Sequence, residues 1–179
     1  MVLQDIFVGR QPIFDRNLEC YAYELLYRTA GDGQACVRDG NQATSQVVYN
    51  AFLEIGLDKL VGHRPAFFNV TREFLLSDYT ALIPPHRAVL EILEDVEIDD
   101  RLIRAVRRLR AGGYRIALDD FIYHPHMQPL VELADIIKID LLQLDDAQVA
   151  RHVKLLGPTP SSCWPRRSRP GSSSAAARV

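Results

Sequence analysis

The chain has 179 residues, of which 47% are hydrophobic and 25% charged, and its mean hydropathy is -0.07. That balance excludes a collagen-like, a wholly disordered or a membrane-spanning protein, and a formal charge of -2 leaves no electrostatic footprint for a nucleic-acid duplex. Cys20, Cys36 and Cys163 form no CxxC pair, and the opening MVLQDIFVGRQPIF lacks a basic segment followed by an apolar one. No secretion signal and no membrane span are expected, and the expected location is the cytoplasm.

In chain order, β-rich runs predict strands at residues 6–14 and 19–27. Apolar residues spaced by three and four, Val47, Val48, Ala51, Phe52 and Ile55, predict a helix over 42–55. Strands follow at 66–70 and 88–93. A helix is predicted over 99–111, with Leu102, Ile103, Val106 and Leu109 on one face and arginines on the other. It has acids at its start and Gly112-Gly113 at its end, the charge order that a helix dipole favours and a glycine stop. A strand at 115–118, a short helix at 129–134, a strand at 136–139 and a helix at 145–156 complete the series. Strand and helix in alternation predict a mostly parallel sheet, doubly wound or closed into a barrel.

Composition changes abruptly at Gly157. Residues 157–179 hold four arginines, no acid and a majority of Gly, Pro and Ser, so the first 156 residues carry -6. With almost nothing to bury, 157–179 is expected to be a disordered tail, and 1–156 the folded domain. A basic tail that touches phosphates and a simple linker remnant both fit it, and the linker is the preferred reading.

The strand ends favour a barrel over a doubly wound sheet. Glu24 stands in ECYAYELLYR, Asn69 ends AFFN, Glu91 and Glu94 lie in AVLEILED, Asp119 and Asp120 end RIALDD, and Lys138 and Asp140 lie in IIKID. An apolar strand that delivers a polar group near its C-terminal end is how β/α barrels assemble sites, whereas no GxGxxG or GxxxxGK[ST] phosphate loop occurs. Glu24, Asn69, Glu91, Asp119 and Asp120 are all hard oxygen donors, suited to Mg2+, Mn2+ or Ca2+ rather than zinc. Adjacent aspartates suit two ions for phosphodiester cleavage, with Lys138 near the attacking water. Taken singly, each residue also fits a helix cap, a turn or a solvated strand end; five on successive strands point to a site.

Gln11-Pro12-Ile13, Glu24-Leu25-Leu26 with Arg28, Asn69, Leu90-Glu91-Ile92-Leu93-Glu94, Asp119-Asp120-Phe121 and Lys138-Ile139-Asp140 occur in an order that resembles the EAL-domain family, the bacterial cyclic-di-GMP phosphodiesterases and their inactive relatives. FVGRQPIFDRNLECYAYELLYR and ALDDFIYHP are most similar to the divergent EAL domains that precede an HDOD domain. The resemblance covers residues 5 to about 156. It implies an EAL-type, TIM-like (β/α) barrel and Mg2+ or Mn2+ bound by Glu24, Asn69, Glu91 and Asp119, with Asp120 on a second ion. It further implies catalytic roles for Glu24, Asp119 and Lys138, the last orienting water, and contact of Gln11 and Arg28 with cyclic-di-GMP.

The departures set the expected activity. Active relatives continue the Asp-Asp-Phe motif with glycines and a serine, where this chain has Ile122-Tyr123-His124-Pro125-His126, and Glu-Leu-Leu replaces Glu-Ala-Leu. The family's later glutamate has no counterpart before the tail. The expectation is therefore a truncated EAL domain, impaired or inactive as a phosphodiesterase and acting by binding cyclic-di-GMP. The alternative is an active metal-dependent phosphodiesterase that yields linear pGpG. A barrel of this type takes ~250 residues, so an incomplete one is expected with its last strands missing. With an open edge the isolated chain is expected to be marginal and to dimerise, swap elements or aggregate, and a homodimer or a protein partner is expected. His124 and His126 are expected to be solvated rather than metal ligands, and Tyr21, Tyr23 and Tyr27 either to pack or to stack a base.

Overall fold

The computed structural model describes residues 7–15, 17–28, 44–45, 48, 55–119, 123–140 and 162–166. Its first two strands, β1 (Phe7–Phe14) and β2 (Cys20–Arg28), form an antiparallel hairpin. The turn between them is tied by Asp15, whose Oδ1 accepts from the backbone N–H groups of Asn17 and Glu19 at 2.9 and 3.0 Å, the local bonding for which Asp is favoured in turns. From β2 onward the sheet is parallel: β3 (Ala66–Val70), β4 (Ala88–Ile92), β5 (Arg115–Leu118) and β6 (Ile136–Asp140) follow in chain order. The result is a mixed α/β fold whose sheet curls into an incomplete, TIM-like barrel.

A seventh strand, β7 (Ser162–Arg166), pairs in parallel with β6. It lies inside the stretch whose composition predicts disorder. The rest of 157–179 lies outside the described residues. Pairing along an edge uses backbone groups rather than apolar side chains, and Pro165, which has no N–H to give, is tolerated on an edge strand.

Helices cover the outer face. Thr44, Ser45 and Val48 are helical, as predicted for 42–55, while the rest of that helix and all of 145–156 lie outside the described residues. The others are α1 (Leu57–Val61), α2 (Arg72–Leu76), α3 (Asp100–Ala111) and α4 (Gln128–Val131). At the start of α3, Asp99 accepts from the Leu102 N–H at 2.7 Å, and Gly113 with φ +91° supplies the left-handed turn after its end. Leu102, Ile103 and Val106 of α3 pack with Phe68, Leu90, Ile116 and Leu118 on the outer side of the sheet.

The inner face is organised in two tiers by strand parity, since residues i and i+2 share a face. Ile13, Ala22, Phe67, Val89, Ala117 and Ile136 form a small separate apolar cluster. Two residues farther along β2 to β6 (and two earlier on the antiparallel β1) stand Gln11, Glu24, Asn69, Glu91, Asp119 and Lys138. The lower tier is an apolar plug, and the upper tier is polar.

Candidate metal centre

Each member of the upper tier is placed by its strand. Glu24 is in the middle of β2 rather than at its end, because β2 runs on to Arg28 to pair with β1. Asn69 and Glu91 are register partners across β3 and β4. Asp119 follows the last residue of β5, and its N–H donates to the Ile92 carbonyl at 3.0 Å, which carries the ladder one step beyond the strand. Lys138 is central in β6.

The four charged residues are buried: relative exposure is 2% for Glu24, 0% for Glu91, 4% for Asp119 and 6% for Lys138. Carboxylate oxygens of Glu24, Glu91 and Asp119 lie within 4.8 Å of one another. Lys138 Nζ sits among them, 3.2 Å from Glu24 Oε2, 3.4 Å from Asp119 Oδ1 and in direct contact with Glu91 Oε1. The amide of Asn69 donates through Nδ2 to Glu24 Oε1 at 3.0 Å.

Three carboxylates and one ammonium do not balance. If all were ionised the cluster would carry -2 away from water, an arrangement that needs a further cation or protons. Burial pushes the Glu91 carboxyl well above the usual carboxylate range; Glu24 and Asp119 add to the rise and Lys138 opposes it. Burial alone would lower the Lys138 ammonium, but Glu91, Glu24 and Asp119 outweigh it and hold its pKa above the ordinary lysine value. Two acceptor atoms are left over: among the described residues, Glu91 Oε2 and Asn69 Oδ1 are buried without a hydrogen-bond partner. Unsatisfied buried oxygens beside an excess of negative charge fit an oxygen-coordinated divalent cation, with Glu24, Asn69, Glu91 and Asp119 as the donor set.

The structure thus brings together five of the residues singled out in the sequence. Gln11 is directly opposite Glu24 across β1 and β2 and so shares its face. Arg28 pairs with Phe7 through the backbone at the end of β2; its side chain is outside the described residues, as is Asp120. Glu94 is exposed in the turn after β4. His124 and His126 are exposed and stack on each other, with ring centroids 5.7 Å apart. Tyr21 and Tyr23 pack under Arg115 and Arg10, with 5.9 and 5.1 Å from guanidinium carbon to ring centroid. Two supporting residues were not apparent from the sequence. Thr44 donates its hydroxyl to the Asn69 carbonyl at 2.9 Å, and Phe67 places its ring 5.7 Å beneath Lys138 Nζ. An isolated Thr in a helix and a Phe in a strand carry no chemical signature by which to find them.

No family model matches the chain. It is 41% identical over 143 residues to the uncharacterised protein YuxH of Bacillus subtilis, an alignment that covers 77% of this chain and 35% of YuxH. It is 32% identical over 140 residues to the cyclic di-GMP phosphodiesterase CdgJ of Vibrio cholerae, covering 77% of this chain and 32% of CdgJ. The chain therefore spans about a third of the length of these relatives. The crystal structure of Bacillus subtilis YkuI, a protein with an EAL domain in complex with its substrate c-di-GMP and calcium, superposes with a TM-score of 0.63 at 20% identity, over 91% of this chain and 49% of that one. Among the described residues, no helix is long and apolar enough to cross a membrane. The fold is that of solved EAL domains, and the sequence is similar to that of a cyclic di-GMP phosphodiesterase.

Proposed function

We propose that this chain is an EAL-type module that binds cyclic-di-GMP through a divalent cation, Mg2+ or Mn2+, held by Glu24, Asn69, Glu91 and Asp119, and that it acts by binding rather than by turnover. The observation that carries the proposal is the buried, oxygen-only cluster with its unsatisfied Glu91 and Asn69 oxygens. When bound, the cation supplies Lewis acidity toward a phosphoryl oxygen. Around it, Gln11 presents an amide on the Glu24 face, and Arg28 farther along β2 makes the charge-assisted contact that a phosphate favours. Asp120 holds a second ion, and Lys138, by its position among the carboxylates, holds the attacking water where hydrolysis takes place. The cyclic dinucleotide named for YkuI and CdgJ supports the ligand class. The substitution of His124-Pro125-His126 for the glycine- and serine-bearing loop of active relatives favours binding over turnover.

A second reading, hydrolysis to linear pGpG, is favoured by the intact set Glu24, Asn69, Glu91, Asp119 and Lys138. Equilibrium binding of labelled cyclic-di-GMP in Mg2+, Mn2+ or EDTA, with chromatography of the nucleotide afterwards, separates the two. Metal-dependent binding with intact nucleotide supports the proposal. Turnover that Glu24→Gln abolishes establishes the second reading, and absence of binding in every metal overturns both.

A further inference from the structure

Far from the carboxylate cluster in its chemistry, α3 carries a concentration of positive charge that the proposed function does not use. Arg101, Arg104, Arg107 and Arg108 are all exposed, and with Leu76, Ala105 and Ala111 they line an open groove of about 600 Å³. Three arginines elsewhere in the fold find carboxylates: Arg72 pairs with Asp99, Arg87 with Asp58 at 2.7 Å, and Arg110, on the same helix, with Asp135 at 2.9 Å, while Arg10, Arg64 and Arg115 bond to carbonyl or hydroxyl oxygens. Among the described residues, none of the four groove arginines has such a partner.

Helix electrostatics do not explain the pattern. The dipole favours cations in the last turn, which accounts for Arg108 and Arg110, but it disfavours Arg101 and Arg104 near the start. Spacings of three and four residues, 101 to 104, 104 to 107 and 104 to 108, also set like charges beside one another, an arrangement that destabilises an isolated helix. The groove has apolar elements as well. Ala105 is buried beneath the arginines and Leu76 is half-buried. The 3-10 turn Asp78–Leu82 follows α2 and is tied to the end of α3 by Tyr114, whose hydroxyl donates to the carbonyls of Thr80 and Ile83. That turn exposes Tyr79 at 63% and Leu82 at 60%.

We infer that the arginine face of α3 is a docking surface for an acidic protein segment that carries apolar anchors. Four guanidinium groups on a chain whose first 156 residues otherwise sum to strong negative charge form a localised complement to carboxylates. Arginine beside small apolar side chains matches the composition of protein interfaces. A nucleic acid fits less well. The arginines span only eight residues, a rise of ~10 Å along the helix, so they meet few phosphates, and the apolar groove has nothing to receive from a sugar-phosphate backbone. A flat anionic membrane likewise leaves the groove unfilled.

The test is fluorescence anisotropy of the 179-residue chain with a labelled, designed 15-residue peptide of glutamates with leucines at helical spacing. The expected result is saturable binding that Arg104→Glu/Arg108→Glu weakens at least tenfold, that salt weakens, and that replacing the leucines with serines also weakens. Arg104→Lys/Arg108→Lys retains most of the affinity. Because all four side chains are exposed, the melting temperature and Mn2+ binding of each variant should match the parent. Should the charge reversal perturb folding, Arg104→Gln/Arg108→Gln gives the same comparison without repulsion. Equal peptide binding by parent and variant overturns the inference. Stronger binding to a single-stranded oligonucleotide or to phosphatidylglycerol vesicles than to the peptide also overturns it and assigns the surface to those partners.

Discussion

Lys138→Met tests how the carboxylate cluster is held in the absence of metal. Methionine approximates the volume of the lysine stem, so little cavity term is added and the effect is electrostatic. Lys138 Nζ lies 3.2 and 3.4 Å from Glu24 and Asp119 and touches Glu91. At an effective dielectric of ~20, each pair at such a spacing is worth ~5 kcal/mol before desolvation. After desolvation, removing one partner of a buried ion pair costs ~3–5 kcal/mol, a large share of the total stability of a domain. At pH 7.5 without metal, Lys138→Met is expected to lose about that much in urea unfolding. The sign of the pH dependence follows from the direction of the shift. A carboxyl whose folded pKa is raised, as Glu91's is, favours the folded state below the unfolded carboxyl pKa, and that contribution is lost as pH rises through the folded value. Without the ammonium the rise is larger, so the deficit of the variant should shrink toward pH 5. Saturating Mg2+ or Mn2+ should also restore stability, by ~2.7 kcal/mol at a hundred times its Kd, and by more than it adds to the parent. A variant as stable as the parent at pH 7.5 without metal would refute the reasoning, as would one equally weakened at every pH and in metal.

Mn2+ affinity of the parent should rise with pH and binding should release protons, because burial raises the Glu91 carboxyl and a bound cation would lower it again; calorimetry in buffers of different ionisation enthalpy measures the number released. Phe67→Ala, which removes a fully buried ring from beneath Lys138, is expected to cost ~3–5 kcal/mol in urea unfolding and to lower Mn2+ affinity, since the floor of the site is lost. Thr44→Val removes the hydroxyl that braces the Asn69 carbonyl at ~0.5–1.5 kcal/mol in stability, with a smaller loss of Mn2+ affinity than Asn69→Leu.

The residues of the candidate site stood out in the sequence because of the way their strands are buried. Parallel strands covered on both faces read as nearly continuous apolar runs, so a lone Asn in AFFNV, Glu in AVLEI or Lys in IIKID stands out and lies on the inner face. The extents of β3 and β5 follow directly from those runs. Pairing direction was less legible: that β1 runs antiparallel to β2 depends on the Asp15 turn, not on either strand's pattern. Glu24 reads as a strand end only if the strand stops soon after it, whereas β2 continues for four more residues to keep its pairing with β1. The contacts of Lys138 with three carboxylates arise from strands separated by up to 114 residues, and no local spacing encodes them. The pairing of Ser162–Arg166 with β6 was hidden for another reason: composition reports what side chains can bury, not whether a backbone can complete a sheet edge.

The most direct measurement is the anomalous difference map of a crystal of the full chain grown or soaked with Mn2+. The account predicts a peak with oxygens of Glu24, Asn69, Glu91 and Asp119 at about 2.0–2.3 Å, with the peak lost in Glu91→Gln. An ion bound elsewhere with these four residues uncoordinated, or no bound ion at millimolar Mn2+, would contradict it.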